Sequence, residues 1–154
     1  MGNIFNPDFR DFIHALNNNK VFYILVGGYS VILHGYSRTT GDMDIWVKKD
    51  AQNYKRIVQA FEEFKMPLFD MTQDTFLNNS DIDVFTFGKA PVCIDLMTSV
   101  KGLNFDEAYK NSKLILIERL NIRIVNYTDL ITAKKASGRP RDLDDIDNLG
   151  KGKK

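Results

Sequence analysis

Two acidic residues at the start of an apolar strand limit most strongly how this chain can fold. Asp42 and Asp44 stand two positions apart and are followed directly by Ile45, Trp46 and Val47. Alternate residues of a strand point to the same side, so an extended backbone brings both carboxylates onto one face of a sheet. Like charges held so close are unfavourable unless a cation or bound protons compensate for them. The segment therefore predicts a strand that carries a compensated acidic pair.

Ligands that offer only oxygen suit Mg²⁺ or Mn²⁺ rather than zinc, so the pair is a candidate magnesium site. Spacing alone is weak evidence, because an isolated pair of this kind is more often a solvated strand end. The chain contains a second such pair, Asp81 and Asp83, ahead of another apolar run. It lacks the context that precedes Asp42, and we assign it to a solvated strand end.

The segment before the first acidic pair contains residue types that bind phosphate. Gly27 and Gly28 follow an apolar run at residues 21–26 and allow a close backbone approach to an anion. A short helix predicted at residues 29–34 would direct its free amide groups at the same anion, and Ser30 would add a hydroxyl donor. A simple tight turn is the commoner role of two glycines after a strand. Only the combination with the acidic pair is specific.

Periodicity along the chain predicts an α/β (α+β) fold with helices on a mixed β-sheet. Dense runs of β-branched and aromatic residues predict strands at residues 21–26, 43–48, 82–87, 92–97, 114–117 and 122–125. Apolar residues at helical spacing predict helices that begin at Pro7, with Asn6 as N-cap, and at Pro140, together with helices at residues 51–64 and 128–136, the latter ended by Gly138. A turn at residues 88–91 predicts an antiparallel hairpin. We expect one domain over residues 1–154, with a core at 7–149 and a flexible tail at 150–154.

Composition excludes several classes of protein. The chain has 154 residues, of which 44% are hydrophobic and 27% charged, as in an ordinary globular protein. A formal net charge of +1 does not indicate a protein that coats nucleic acid or a membrane surface through its overall charge. Cys93 is the only cysteine, so an internal disulfide is excluded. No leader-like or membrane-spanning run is present, and we expect a cytoplasmic protein with no membrane partner.

The motifs together resemble the signature of the DNA polymerase β-like nucleotidyltransferase superfamily. The resemblance is carried by Leu-Val-Gly-Gly at residues 25–28, by His34-Gly35 and by Arg-Thr-Thr-Gly-Asp-Met-Asp at residues 38–44. It implies the nucleotidyltransferase (polymerase β-like) fold, in which a neighbouring strand supplies a third carboxylate. Asp95 matches that carboxylate in position and in its apolar setting. We interpret His34 as a packing residue at a helix end rather than a catalyst.

The resemblance also implies roles for individual residues. Asp42, Asp44 and Asp95 would be both the catalytic residues and the ligands of Mg²⁺ (or Mn²⁺), and Asp95 would also serve as general base. The reaction would transfer a nucleoside monophosphate from a nucleoside triphosphate to an acceptor hydroxyl and release pyrophosphate. The residues that would contact the nucleotide are Gly27, Gly28, Ser30, Arg38, Thr40, Lys134, Arg139 and Asp142.

Residues 134–142 resemble the Lys…Gly-Arg-x-(Lys/Arg)-Asp motif of AbiEii-type bacterial nucleotidyltransferases. This likeness implies that Lys134 contacts the triphosphate, whereas Arg139 and Asp142 support the site. The alternative is a solvated basic turn, and for Arg141 the two interpretations are balanced. The same likeness suggests a toxin-like role.

Several functions remain open at this stage. Within the enzyme class, the acceptor hydroxyl could belong to tRNA, to a protein or to a small molecule. A second hypothesis is a catalytically silent nucleotide-binding module of the same fold. A third is an interaction protein that acts with a partner protein, such as one member of a two-gene system. The sequence predicts neither the preferred nucleotide nor the oligomeric state.

Overall fold

A computed structural model describes residues 5–89 and 92–152. Its centre is a sheet in the order β3-β4-β2-β1-β6-β5. The strands are β1 (Tyr23–Val26), β2 (Asp42–Val47), β3 (Val84–Lys89), β4 (Val92–Met97), β5 (Lys113–Ile117) and β6 (Leu120–Ile124). Strands β2 and β4 are parallel, as are β1 and β6, whereas the β1–β2, β3–β4 and β5–β6 pairs are antiparallel. The sheet is therefore mixed, as predicted.

Helices cover both faces of the sheet. They are α1 (Pro7–Asn18), α2 (Gly27–Leu33), α3 (Ala51–Phe64), α4 (Gln73–Asn78), α5 (Phe105–Asn111), α6 (Tyr127–Ser137) and α7 (Pro140–Gly152). Alternating side chains of β2 pack on opposite faces of the sheet. Ile45 packs into the larger core with α1 and α3, whereas Trp46 packs into a smaller core with α6 and α7. No helix in these described ranges is long and apolar enough to cross a membrane.

The local signals for the helix ends are confirmed. The Asn6 side chain accepts a hydrogen bond from the Phe9 amide at 2.9 Å and caps α1, and α3 spans the predicted residues. Gly138 ends α6 with φ of 63°, a left-handed conformation that glycine adopts at little cost. Pro140 then opens α7. Caps of this kind depend on neighbouring residues only, which is why the sequence shows them.

Other boundaries differ from the predictions. Strand β1 begins only at Tyr23, and the two glycines that were expected to form a turn before α2 make its first turn. Helix α4 was not predicted, because its six residues are too short to show a helical period; a Thr72 cap and the buried Phe76 hold it. Residues 150–152, expected in a flexible tail, continue α7, whereas Lys153 and Lys154 and positions 90–91 of the predicted turn lie outside the described residues.

Candidate active site

Three carboxylates meet where β2 begins beside β4. Asp42 and Asp44 lie on one face of β2, and the parallel register places Asp44 directly opposite Asp95 of β4. Asp44 is partly buried, whereas Asp42 is exposed. The two strands are neighbours although some 50 residues of chain separate Asp44 from Asp95, so the sheet topology assembles this group.

The setting of Asp44 makes its ionisation costly. Burial, the nearby charges of Asp95 and Asp42, and a hydrogen bond with Asp95 raise its pKa from 3.8 to about 7, and Lys134 opposes this rise. Asp95 is also held from the other side, because the Thr86 hydroxyl donates to its Oδ1 at 2.7 Å.

The donor chemistry of these carboxylates fits a hard divalent cation such as Mg²⁺. Across residues 5–89 and 92–152, no three His, Cys, Asp or Glu side chains are arranged to hold an ion as they stand. The three-carboxylate metal site therefore stays a prediction.

The two glycines let helix α2 begin against the acidic pair. Gly27 has φ of +70°, and a Cβ atom there would collide with the carboxylate of Asp44. A Cβ atom on Gly28 would collide with the hydroxyl of Thr40. Both collisions involve side chains of the site itself, so the glycines are required by its packing whether or not an anion approaches them.

A cleft of about 450 Å³ opens in front of the carboxylates. Its lining combines the three acids with three arginines and a few small or apolar residues: Gly28, Arg38, Thr40, Gly41, Asp42, Asp44, Val84, Asp95, Met97, Arg139 and Arg141. Acids on one side and cations on the other suit a ligand that carries phosphate together with a divalent cation.

A buried ion-pair network anchors the basic wall of the cleft, which is formed by Arg38 and Arg139, to α7. Asp142 and Asp145 are 1% and 0% exposed. The Nζ atom of Lys134 lies 3.2 Å from Asp142 Oδ1 and 3.0 Å from Asp145 Oδ2. Arg38 binds Asp145 through two hydrogen bonds of 2.8 and 3.1 Å, and Arg139 Nε donates to Asp142 at 2.7 Å. Burial disfavours the charged form of Asp142, but the hydrogen bonds from Arg139 and Lys134 outweigh it and hold its pKa below the usual value.

Two of the predicted nucleotide contacts, Ser30 and Lys134, do not line the cleft and have partners within the protein. Ser30 is fully buried, and its hydroxyl donates to the Gly27 carbonyl at 2.6 Å, so it supports the start of α2 and does not face the cleft. Lys134 is 8% exposed and pairs with the two buried aspartates, and it lines a smaller pocket together with Gly27, Asp44 and Arg139. Both residue types suggested exposed donors, and only the packing shows that their polar atoms have partners within the protein.

Other residues lie where the sequence placed them or add to the site. His34 packs at the end of α2, with its Nε2 atom 2.7 Å from the Val125 carbonyl oxygen. Arg141 lines the cleft and donates to the Thr39 carbonyl at 3.2 Å. Asp145 was missed, although its position three residues after Asp142 puts both on one side of α7.

The second acidic pair does not line the cleft. Asp81 and Asp83 are exposed and precede β3, and neither lines the cleft. Their assignment to a solvated strand end agrees with this placement.

Comparison with solved structures shows the nucleotidyltransferase fold. A candidate nucleotidyltransferase from Thermotoga maritima superimposes with a TM-score of 0.60 at 16% identity, over 94% of this chain and 91% of that one. The lincosamide antibiotic adenylyltransferase LnuA, with lincomycin bound, superimposes with a TM-score of 0.60 at 18% identity, over 97% of this chain and 98% of that one. The antibiotic-resistance factor ANT(2'')-Ia superimposes with a TM-score of 0.59 at 10% identity, over 96% of this chain and 83% of that one.

No curated protein sequence matches the chain. A family model described as "Nucleotidyltransferase of unknown function (DUF6036)" matches residues 9–150. That match includes all three carboxylates, the glycines of α2 and the ion-pair network of α7. The chain belongs to this nucleotidyltransferase family.

Proposed function

We propose that the protein is a Mg²⁺-dependent nucleotidyltransferase that moves a nucleoside monophosphate from a nucleoside triphosphate to an acceptor hydroxyl. The observation that carries the proposal is the register of β2 and β4, which sets Asp44 opposite Asp95 with Asp42 beside them. Three acids facing three arginines across one cleft match a reaction that handles phosphate and a divalent cation together.

Each group of residues has a separate task in this proposal. Asp42, Asp44 and Asp95 would hold the Mg²⁺, which when bound supplies charge neutralisation of the phosphates and a lower pKa for the acceptor hydroxyl. Asp95, oriented by Thr86, would accept the hydroxyl proton. Arg139 would meet the phosphates, since its side chain is 73% exposed at the cleft.

The remaining cations support the site more indirectly. Arg38 has most of its guanidinium occupied by Asp145 and the Thr39 carbonyl, so it offers the cleft its charge more than its hydrogen bonds. Lys134 would act by holding Asp142 and Asp145 and by moderating the pKa of Asp44.

A small molecule is the acceptor class that we favour. Two fold neighbours are an adenylyltransferase of lincosamide antibiotics and an antibiotic-resistance factor, and both cover nearly all of this chain. A cleft of about 450 Å³ has the size of a small-ligand site. We therefore propose ATP and a hydroxylated small molecule as the first pair to test, in a cytoplasmic protein, with tRNA and protein hydroxyls as alternatives.

The test is to incubate the purified protein with α-labelled nucleoside triphosphates, Mg²⁺ and separate small-molecule, tRNA and protein fractions of a cell extract. We expect label in the small-molecule fraction, Mg²⁺-dependent triphosphate binding by calorimetry, and loss of both in Asp44→Ala. Label in another fraction would correct the acceptor class. No labelled product together with no triphosphate binding would remove the enzyme proposal.

A catalytically silent nucleotide-binding module is the second candidate. The raised pKa of Asp44 and the ion pairs of Lys134 with Asp142 and Asp145 favour it, because both involve groups that catalysis would use. Triphosphate binding without transfer to any fraction would support this module over the enzyme.

A toxin-like role and an AbiEii-type relationship rest on residues 134–142 alone. Growth arrest after induction of the wild type, but not of Asp44→Ala, would support that role. Rescue by a co-expressed neighbouring gene would identify a partner protein.

A further inference from the structure

A second groove lies at the end of the sheet opposite the active-site cleft. It also measures about 450 Å³, and its lining includes Lys20, Phe22, Arg56, Tyr109, Asn121 and Arg123. Phe22 precedes β1 and Gly28 follows it. At about 3.3 Å per strand residue, the length of β1 and its flanks separates the two openings by roughly 15–20 Å. One ligand group cannot occupy both.

The groove has an unbalanced positive charge. Lys20, Arg56 and Arg123 are exposed or half-buried, and none of them forms an ion pair in the described part of the chain. No acidic residue is among the described residues that line it. In the active-site cleft, by contrast, three aspartates balance three arginines. The near-neutral net charge of the chain therefore hides a local anion-attracting surface.

Aromatic rings hold two of these cations in place. The guanidinium carbon of Arg56 lies 5.4 Å from the centre of the Phe22 ring, and that of Arg123 lies 4.5 Å from the centre of the Tyr109 ring. The two rings meet edge to face at 5.3 Å. A cation–π contact attracts a guanidinium without using its N–H groups.

The donors of both arginines remain largely available. The Arg56 side chain makes no hydrogen bond within residues 5–89 and 92–152. The Arg123 side chain makes one, to the Ser112 hydroxyl at 3.1 Å. Planar guanidinium groups with open N–H pairs bind phosphate oxygens in a bidentate manner. The Asn121 side chain, on the same wall, adds an amide that can bond to a base or a ribose.

We propose that this groove is a second anion site that binds one phosphate-bearing nucleotide unit, either a free nucleotide or a unit of single-stranded RNA. Its positive charge, its two guanidinium groups held against aromatic rings and its concave shape favour a phosphate, and its volume accommodates one nucleotide. The inference stands on the groove alone and does not depend on the proposed reaction.

The test measures binding to the full chain carrying Asp44→Ala, so that transfer chemistry does not consume the ligand. Two probes are used: a labelled single-stranded RNA of about ten nucleotides by fluorescence anisotropy, and AMP by calorimetry. Adding Arg56→Gln and Arg123→Gln should weaken binding of the responsive probe by about tenfold or more, since two charged donors are lost. Lys55→Gln, an exposed neighbour on α3 outside the groove, should leave binding unchanged.

Each outcome is decisive. A response of the RNA alone identifies a strand site, and a response of AMP identifies a site for a free nucleotide; both support the proposal. Failure of both probes to bind at low salt overturns it, as does binding that the arginine substitutions leave intact or that Lys55→Gln weakens equally. If the double substitution unfolds the chain, the single substitution Arg56→Glu gives the same comparison, because the Arg56 side chain has no hydrogen bond to lose.

Discussion

At the scale of single residues, the carboxyl group of Asp44 decides how the site behaves without a cation. Burial and two neighbouring acids raise its pKa to about 7. The sequence predicted the crowding of Asp42 and Asp44, because a strand brings alternate residues to one face. It could not predict that Asp44 lies opposite Asp95, because that placement depends on the register of two strands distant in the chain.

The raised pKa makes Asp44 a source of pH-dependent instability. Between its ordinary value of 3.8 and about 7, the folded protein binds more protons than the unfolded chain, so stability falls as pH rises through this range. Asn cannot ionise, so Asp44→Asn should exceed the wild type in free energy of unfolding by about 2–4 kcal/mol at pH 8 and by little below pH 4.

Urea denaturation at several pH values, with a chelator present, measures this difference. Asp81→Asn removes a carboxylate from the exposed second pair and serves as the matched control, with a pH profile like that of the wild type. A gain in Asp44→Asn that is the same at pH 4 and pH 8 would show that ionisation of Asp44 is not its cause.

At the scale of elements, helix α7 fastens the basic wall of the cleft to the rest of the fold. The sequence predicted the helix and its opening at Pro140 from local signals. It singled out Asp142 through the motif at residues 134–142, but it did not distinguish the buried Asp145 from Asp144 and Asp147 of the same helix, because acidic residues on a helix usually face water. Asp145 is buried and paired with Arg38 and Lys134 because α7 packs against α6 and the loop before β2. No local sequence pattern predicts that packing.

Removal of the Asp145 charge should therefore be costly. Asp145→Asn leaves Arg38 and Lys134 with an unbalanced charge in a buried site, and we expect a loss of about 3–5 kcal/mol in the free energy of unfolding. Asp147→Asn breaks a 3.2 Å pair with Lys151 on the same helix, but both side chains are about two-thirds exposed, so the expected loss is at most about 1 kcal/mol.

Denaturation of the two variants under identical conditions compares the pairs. Equal losses in Asp145→Asn and Asp147→Asn would mean that the buried network does not anchor the cleft wall.

At the scale of the whole molecule, the order of the strands creates the site. Strands β2 and β4 are neighbours in parallel, so Asp44 and Asp95 meet at one end of the sheet, while β3 supplies the Thr86 hydroxyl. The sequence predicted the mixed sheet and six strands, but strand order comes from long-range pairing. The same order places the second, positively charged groove at the far end of β1, where the sequence showed only scattered cations and aromatics.

The formation of labelled product from an α-labelled nucleoside triphosphate, compared between Asp44→Asn and Asp81→Asn, tests most directly whether this cleft transfers nucleotides. Each variant removes one carboxylate from an acidic pair at or just before the start of a strand, and of the two only Asp44 lines the cleft. We expect Asp44→Asn to reduce the rate by about 100-fold or more and Asp81→Asn to leave it unchanged. Equal rates in the two variants would contradict a transfer site at Asp42, Asp44 and Asp95.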